Sequence, residues 1–277
     1  LRKNQWLRKN QWLRKNQWLR KNQWLRKNQW LKRNKFYLFV TKNQAFKMLG
    51  FFFSKMSKIK KNILTIKDQL INESNNLDEI KLMAVSKSQS VDNIYEAYNA
   101  GQKIFGENYL QEAIKKIQTI NQQDIEWHFI GPIQSNKCKL IAENFSWVQS
   151  IDRIKIAARI NEHRNAMPPI NICIQVNISD EVSKSGIHPD DLKLFLDEMK
   201  AFNNLKLRGI MSIPSNTLST EKLAEEFIML DKLYKEIKIS HPSVDTLSMG
   251  MSNDYLLAVK YGSNLVRIGS GIFGLRK

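Results

Sequence analysis

The chain has 277 residues, 42% of them hydrophobic and 25% charged, with 44 Lys plus Arg against 26 Asp plus Glu and a formal charge of +18. This composition supports one large domain or two small ones and excludes wholesale disorder, a collagen-like fibre and a disulfide-stapled miniprotein. Residues 1–55 hold 16 of the basic residues and no acidic one, leaving 28 against 26 beyond them, so the total charge gives no nucleic-acid role to the domain that follows.

Leu-Arg-Lys-Asn-Gln-Trp occurs five times unchanged from Leu1 to Trp30, followed by a degraded copy opening Leu31-Lys32-Arg33-Asn34. A six-residue period turns each Trp by about 240° around a helix, so the tryptophans spread over three faces and build no apolar stripe. In a strand, Leu shares a face with Lys and Trp with Arg, which is no better. Three readings stand. The segment is a basic aromatic arm for single-stranded nucleic acid or an anionic membrane surface, a targeting peptide, or repetitive DNA translated upstream of a native start at Met56 or Met48. The last is favoured, so residues 1–55 are expected to be a disordered tail or to precede the true start, with 56–277 as the working domain.

Ile59, Ile63, Leu64, Ile66, Leu70 and Ile71 fall at helical spacing and predict an opening helix over 59–76. Short apolar runs then alternate with amphipathic ones. Strands are expected at 81–87, 104–108, 126–131, 147–151, 170–178, 205–213, 244–249 and 265–268. Helices are expected at 91–100, 110–120, 136–145, 153–164, 189–202, 220–237 and 253–261. A run such as Ile170-Asn171-Ile172-Cys173-Ile174-Gln175-Val176 is apolar and β-branched throughout, which suits a parallel strand covered by helices. Eight such units in about 200 residues fit a single (β/α)8 barrel of the TIM type, with a doubly wound open sheet as the competing architecture.

Cys138 and Cys173 stand alone, with no C-x-x-C pair, so a disulfide framework and a structural zinc site lack support. No apolar run reaches the roughly 18–20 residues of a membrane span, and no secretory segment with a small-residue cleavage site is visible. A soluble, cytoplasmic protein is expected.

A barrel places its chemistry at the carboxyl ends of its strands. Those ends read Ser86-Lys87, Gly106-Glu107-Asn108, Gly131-Pro132, Ser212, Ser248-Met249-Gly250-Met251-Ser252 and Arg267-Ile268-Gly269-Ser270-Gly271. Lys87, rooted on an apolar strand, can supply the neutral amine that a Schiff base requires, against the plain reading of a solvated lysine. Gly269 to Gly274 matches G-x-G-x-x-G, but the chain runs only three residues further, so neither a βαβ unit nor an acidic residue about 20 positions on can follow, and a dinucleotide site is rejected. A phosphate site between strands seven and eight remains open. Ser252 is placed to N-cap the helix 253–261, Gly250 permits close backbone approach, and Ser270 offers a hydroxyl beside Gly269 and Gly271. The alternative is that these glycines only make tight turns. His128 reads as a satisfied core histidine, Glu107 and Glu126 make no carboxylate pair, and Ser183-Lys184-Ser185-Gly186 reads as a solvated loop able to touch an anion.

Ala84-Val85-Ser86-Lys87, Phe105 to Tyr109, Trp127 to Lys137, Ser183 to Gly186, Arg208 to Pro214, Leu247 to Ser252 and Val266 to Gly269 closely resemble, in order, the pyridoxal phosphate homeostasis protein family. The resemblance runs from about Met56 to Arg276 and leaves out residues 1–55. It implies a barrel similar to the N-terminal domain of alanine racemases, holding pyridoxal 5′-phosphate (PLP) as a Schiff base on Lys87. It further implies Asn108 near the ring and its 3-hydroxyl, Ser252, Gly269 and Ser270 as phosphate contacts, Arg267 facing the pyridine nitrogen, and Met211 and Ser212 within the binding set. Ser270 departs from the threonine of many members but keeps the hydroxyl.

A permanently protonated arginine at the ring nitrogen makes the cofactor a poor electron sink. Racemisation also needs a second base, which racemases draw from an additional domain, and none is expected after Gly274. The expectation is therefore a PLP-binding protein for intracellular cofactor homeostasis without dedicated catalysis. The alternative is a PLP-dependent amino-acid racemase or related enzyme using Lys87 as its single base. Expected partners are PLP and PLP-dependent apoenzymes, with no membrane, no nucleic acid for the domain, and a monomeric state.

Overall fold

The computed structural model describes residues 56–74, 80–179, 184–214 and 219–275. The expectations made for residues 1–55 lie outside them. The chain divides into two units, Leu1–Met56 and Ser57–Lys277, and every element below belongs to the second.

Helix α1 spans Lys58–Glu73; the Ser57 hydroxyl caps it by accepting from the Lys60 amide at 3.3 Å. Its buried stripe is Ile59, Ile63, Ile66 and Leu70, spaced four, three and four residues apart, so one face of the helix is turned into the core. Asn62 donates to the Ile272 carbonyl at 2.8 Å and ties this first helix to the last.

Strands and helices then alternate: β1 Lys81–Val85, α2 Val91–Asn99, β2 Ile104–Glu107, α3 Leu110–Thr119, β3 Glu126–Phe129, α4 Cys138–Asn144, β4 Trp147–Ile151, α5 Ile154–His163, β5 Ile170–Gln175, α6 Leu192–Met199, β6 Leu205–Met211, α7 Thr220–Ser240, β7 Thr246–Ser248, α8 Tyr255–Lys260, β8 Leu265–Ile268 and α9 Ser270–Phe273. Every neighbouring pair is parallel, and β8 returns to β1 with Ala84 opposite Ile268, so the sheet is a closed eight-stranded barrel among the described residues. That closure settles the choice between barrel and open sheet.

Six of the strands are shorter than the apolar runs that predicted them, while 147–151 and 265–268 keep their predicted bounds. Ser86-Lys87, Asn108, Ile130-Gly131, Val176 to Ile178 and Ser212-Ile213 leave the ladder and build the loops at the carboxyl ends. The predicted helix 189–202 divides into a 3-10 turn Pro189–Asp191 and α6. The predicted helix 253–261 starts only at Tyr255, and the four-residue α9 falls where glycines concealed it.

The main core lies between strands and helices, with Ile94, Phe105, Ile141, Ile160, Phe227 and Leu247 fully buried. Trp147, Cys173 and Met211 form a separate cluster among strand residues, as the packed interior of a barrel requires. No helix among the described residues is long and apolar enough to cross a membrane.

Candidate functional site

A cleft of about 630 Å³ opens at the carboxyl ends of the strands. It gathers Lys87 and Gln89 from the turn after β1, Asn108 after β2, Met211 and Ile213 at the end of β6, Met251 to Asp254 after β7, Arg267 on β8, and Gly269 and Ser270 at the start of α9. Seven of the residues expected from the sequence, Lys87, Asn108, Met211, Ser252, Arg267, Gly269 and Ser270, thus line one space although 183 positions separate the first from the last.

Ser212 does not line it. Its side chain is buried and donates to the Val176 carbonyl at 2.7 Å, while its own carbonyl accepts from Arg267 Nη2 at 2.8 Å. Ser212 therefore reaches the cleft only by holding the arginine.

Arg267 is almost wholly buried at the end of a strand. Its Nη1 donates to both the carbonyl and the hydroxyl of Ser248, each at 2.7 Å. Three bonds fix the plane of the guanidinium and leave donors over for the cleft. Burial pushes its pKa down to about 10, which still leaves it protonated at neutral pH.

Behind Arg267 a hydrogen-bond chain crosses three strands, β7, β4 and β3. Ser248 Oγ donates to Gln149 Oε1 at 2.7 Å, Gln149 Nε2 donates to His128 Nδ1 at 3.0 Å, and His128 Nε2 meets Glu126 Oε1 at 2.8 Å. Because the Gln149 oxygen is taken by Ser248, its nitrogen must donate, which makes Nδ1 the acceptor and puts the imidazole proton on Nε2. His128 is the satisfied core histidine the sequence suggested, stacked on Trp147 at 4.9 Å.

Lys87 sits in a turn, half-buried, followed by Ser88 at φ +61°, a left-handed conformation unusual for a residue with a Cβ. The turn is anchored from α3. Lys116 Nζ donates to the Ser86 carbonyl at 2.7 Å, to Glu107 Oε1 at 2.9 Å and to Glu112 Oε1, and Glu112 Oε1 also accepts the Ser88 amide at 2.6 Å. Sequence reasoning missed this cluster. Glu112 and Lys116 are visible as an i,i+4 pair, but such a pair ordinarily lies on a solvated helix face.

Asn108 is held by backbone proximity. A Cβ at Gly131 would lie 2.1 Å from the Asn108 carbonyl oxygen, so only glycine lets the β3 loop pass there. The side-chain oxygen of Asn108 is buried without a hydrogen-bond partner among the described residues, an unmet acceptor beside the cleft.

Ser252 does not cap α8. The N-cap position is Asp254, whose carboxylate accepts the Met251 amide, and desolvation raises its pKa. Two residues further on, this acid closes its own turn and leaves the Ser252 hydroxyl to accept the Gly271 amide at 3.2 Å, bridging the β7 loop to α9. Ser252 thus stands beside Gly269 and Ser270 for a reason other than the predicted one.

Chemically, the cleft offers a primary amine, a fixed cation, an unmet acceptor, hydroxyls and a side-chain-free glycine. No group of three His, Cys, Asp or Glu among the described residues could hold a metal ion.

A closed parallel barrel with a lysine just past its first strand defines the class of the alanine racemase N-terminal barrels. Residues 55–277 match the sequence model of the family described as alanine racemase, N-terminal domain. Curated relatives named pyridoxal phosphate homeostasis protein include one from Pasteurella multocida, 49% identical over 202 residues, covering 71% of this chain and 87% of that protein. Another from Vibrio alginolyticus is 45% identical over 230 residues, covering 80% and 99%. The chain belongs to the pyridoxal phosphate homeostasis protein family. Among solved structures, PipY of Synechococcus elongatus with PLP bound is similar at a TM-score of 0.70 and 32% identity, covering 78% of this chain and 100% of that one. Alanine racemase from Corynebacterium glutamicum, at a TM-score of 0.63 and 16% identity over 79% and 60% of the two chains, shares the fold alone.

Proposed function

We propose that this protein binds PLP in the cleft and serves its intracellular homeostasis by holding and releasing the cofactor without dedicated catalysis. The observation that carries the reading is the placement of Lys87 and the fixed, charged Arg267 on one cleft with the unmet oxygen of Asn108. The relatives' names and the PLP-bound PipY support it.

The residues fit the group. PLP supplies an aldehyde that a primary amine can condense with and a ring that can take up charge from carbon. Lys87 would hold the group through its amine. Asn108 would accept from a ring hydroxyl. Ser252, Ser270 and the side-chain-free Gly269 would receive the phosphate. Arg267 would donate to the ring nitrogen and, being protonated itself, would keep that nitrogen unprotonated. That polarity disfavours carbanion chemistry and separates a carrier from an enzyme. Residues 56–277 are the PLP-binding unit, and PLP-dependent apoenzymes in the cytoplasm are its recipients, served by a monomer.

Borohydride reduction of the full chain after incubation with PLP, followed by peptide mapping, should give one stoichiometric adduct on Lys87. An absent adduct, or one scattered over surface lysines, would overturn the PLP reading. Deuterium exchange from solvent into the α-carbon of amino acids should not exceed that of free cofactor. A faster rate would instead favour a racemase or related enzyme.

A further inference from the structure

The turn that carries Lys87 is fastened on both sides by side chains of one helix. Ser86 and Ser88 flank the lysine, and the carbonyl of the first and the amide of the second both end on the α3 cluster. Lys116, only 4% exposed, spends its ammonium donors on Ser86 O, Glu107 Oε1 and Glu112 Oε1. Glu107 is fully buried and also accepts from the Ser86 hydroxyl at 2.6 Å. Burial raises its pKa, and the ammonium of Lys116 opposes that shift. A buried lysine shared between two carboxylates is costly to assemble, and this one spends every donor on the cluster beside Lys87. The left-handed Ser88 needs such an anchor, because an L-residue leaves that conformation unless its surroundings hold it there.

We propose that Glu112 and Lys116 are positioning residues that clamp the backbone on either side of Lys87 and set the direction in which its amine enters the cleft. The inference rests on Lys87 being the residue that bonds PLP. The clamp itself can be tested without the cofactor.

Glu112 is about a third exposed and separable from the rest. Glu112→Ala removes the acceptor of the Ser88 amide and leaves Lys116 on Glu107 and Ser86, whereas Glu112→Gln keeps an acceptor oxygen. In the cofactor-free full chain, Glu112→Ala should speed hydrogen exchange at the Ser88 amide about tenfold, the size of one lost hydrogen bond, and Glu112→Gln should restore most of the protection. With PLP added, Glu112→Ala should weaken binding about tenfold and shift both the absorption band of the bound form and the pH at which it changes, with circular dichroism unaltered. Unchanged exchange at Ser88 overturns the clamp. Faster exchange with PLP affinity and spectrum as in wild type overturns its role in positioning. A wild-type chain giving no Lys87 adduct overturns the reading of Lys87 instead, a result the exchange measurement does not share. Lys116→Met frees the Ser86 carbonyl instead and should likewise weaken PLP binding and shift the absorption band, wild-type affinity and spectrum overturning the part given to Lys116.

Discussion

The two walls of the cleft are held by opposite means. On the β1–β2 side, Lys87 rides a turn fixed by charged side chains, a buried ammonium between two carboxylates. On the β7–β8 side, Arg267 is fixed by main-chain carbonyls and then by a row of uncharged groups, Ser248, Gln149 and His128, running to Glu126. Side-chain substitutions can dismantle the first wall piece by piece. The second resists, because carbonyl acceptors cannot be mutated away. The reversible bond proposed for Lys87 would fall on the tunable wall, whereas the fixed charge lies on the rigid one.

The largest effect should come from the residues facing the cleft. Lys87→Ala should abolish the reducible adduct in the cleft altogether while leaving the circular dichroism spectrum unchanged, since Lys87 is half-buried and outside the ladder. An adduct persisting at another residue within the cleft would show that the tunable wall is not where the bond forms. Arg267→Leu should weaken the rigid wall from inside. It leaves the Ser212 carbonyl buried and unmet and strips the guanidinium from the Ser248 carbonyl, which keeps only the Ser212 amide, costing about 3 kcal/mol in urea unfolding, more than any single change at Glu112. A cost below about 1 kcal/mol would mean that the guanidinium holds little of this wall together.

Gly131→Ala tests the ground between the walls. Its Cβ would displace the Asn108 backbone, so stability should fall by about 2 kcal/mol and PLP binding should weaken with it. Loss of stability without any loss of affinity would remove Asn108 from the site.

Much of this was legible in the sequence. The eight apolar runs marked the strands, and the polar or glycine-rich residue at each run's end marked the cleft. Strand ends were read too long because Val176, Ile178 and Ile213 are as apolar outside the ladder as their neighbours are inside it. Arg267 as a site residue came only from the family resemblance, although a charge between Val266 and Ile268 is a pattern that a covered strand tolerates only with partners. The Lys116 cluster was not legible. Lys115 and Lys116 are adjacent and identical, and only the packing of α3 against the β1 turn decides that one is exposed and the other buried. The Ser252 cap failed for a local reason, since the Asp254 and Tyr255 amides that its hydroxyl would have accepted donate instead to the Met251 carbonyl.

The smallest prediction concerns the chain of neutral groups behind Arg267. Burial holds the His128 pKa below the ordinary imidazole value of 6.5, with Lys81 adding to that shift and Glu126 opposing it. In the folded protein Nδ1 must stay unprotonated to accept from Gln149, whereas in the unfolded chain it takes a proton near pH 6.5. The unfolded state then binds more protons than the folded one, so stability is fully present above about pH 6.5 and declines as pH falls below it toward the depressed folded value. The sign sets this slope apart from the opposite wall, where the buried Glu107, its pKa raised by desolvation, adds stability as pH falls. Urea unfolding at a series of pH values should show this decline in wild type and a flatter profile in His128→Gln, at some cost in stability at pH 7. Equal slopes in the two proteins would mean that the neutral state of His128 contributes nothing to the wall that holds Arg267.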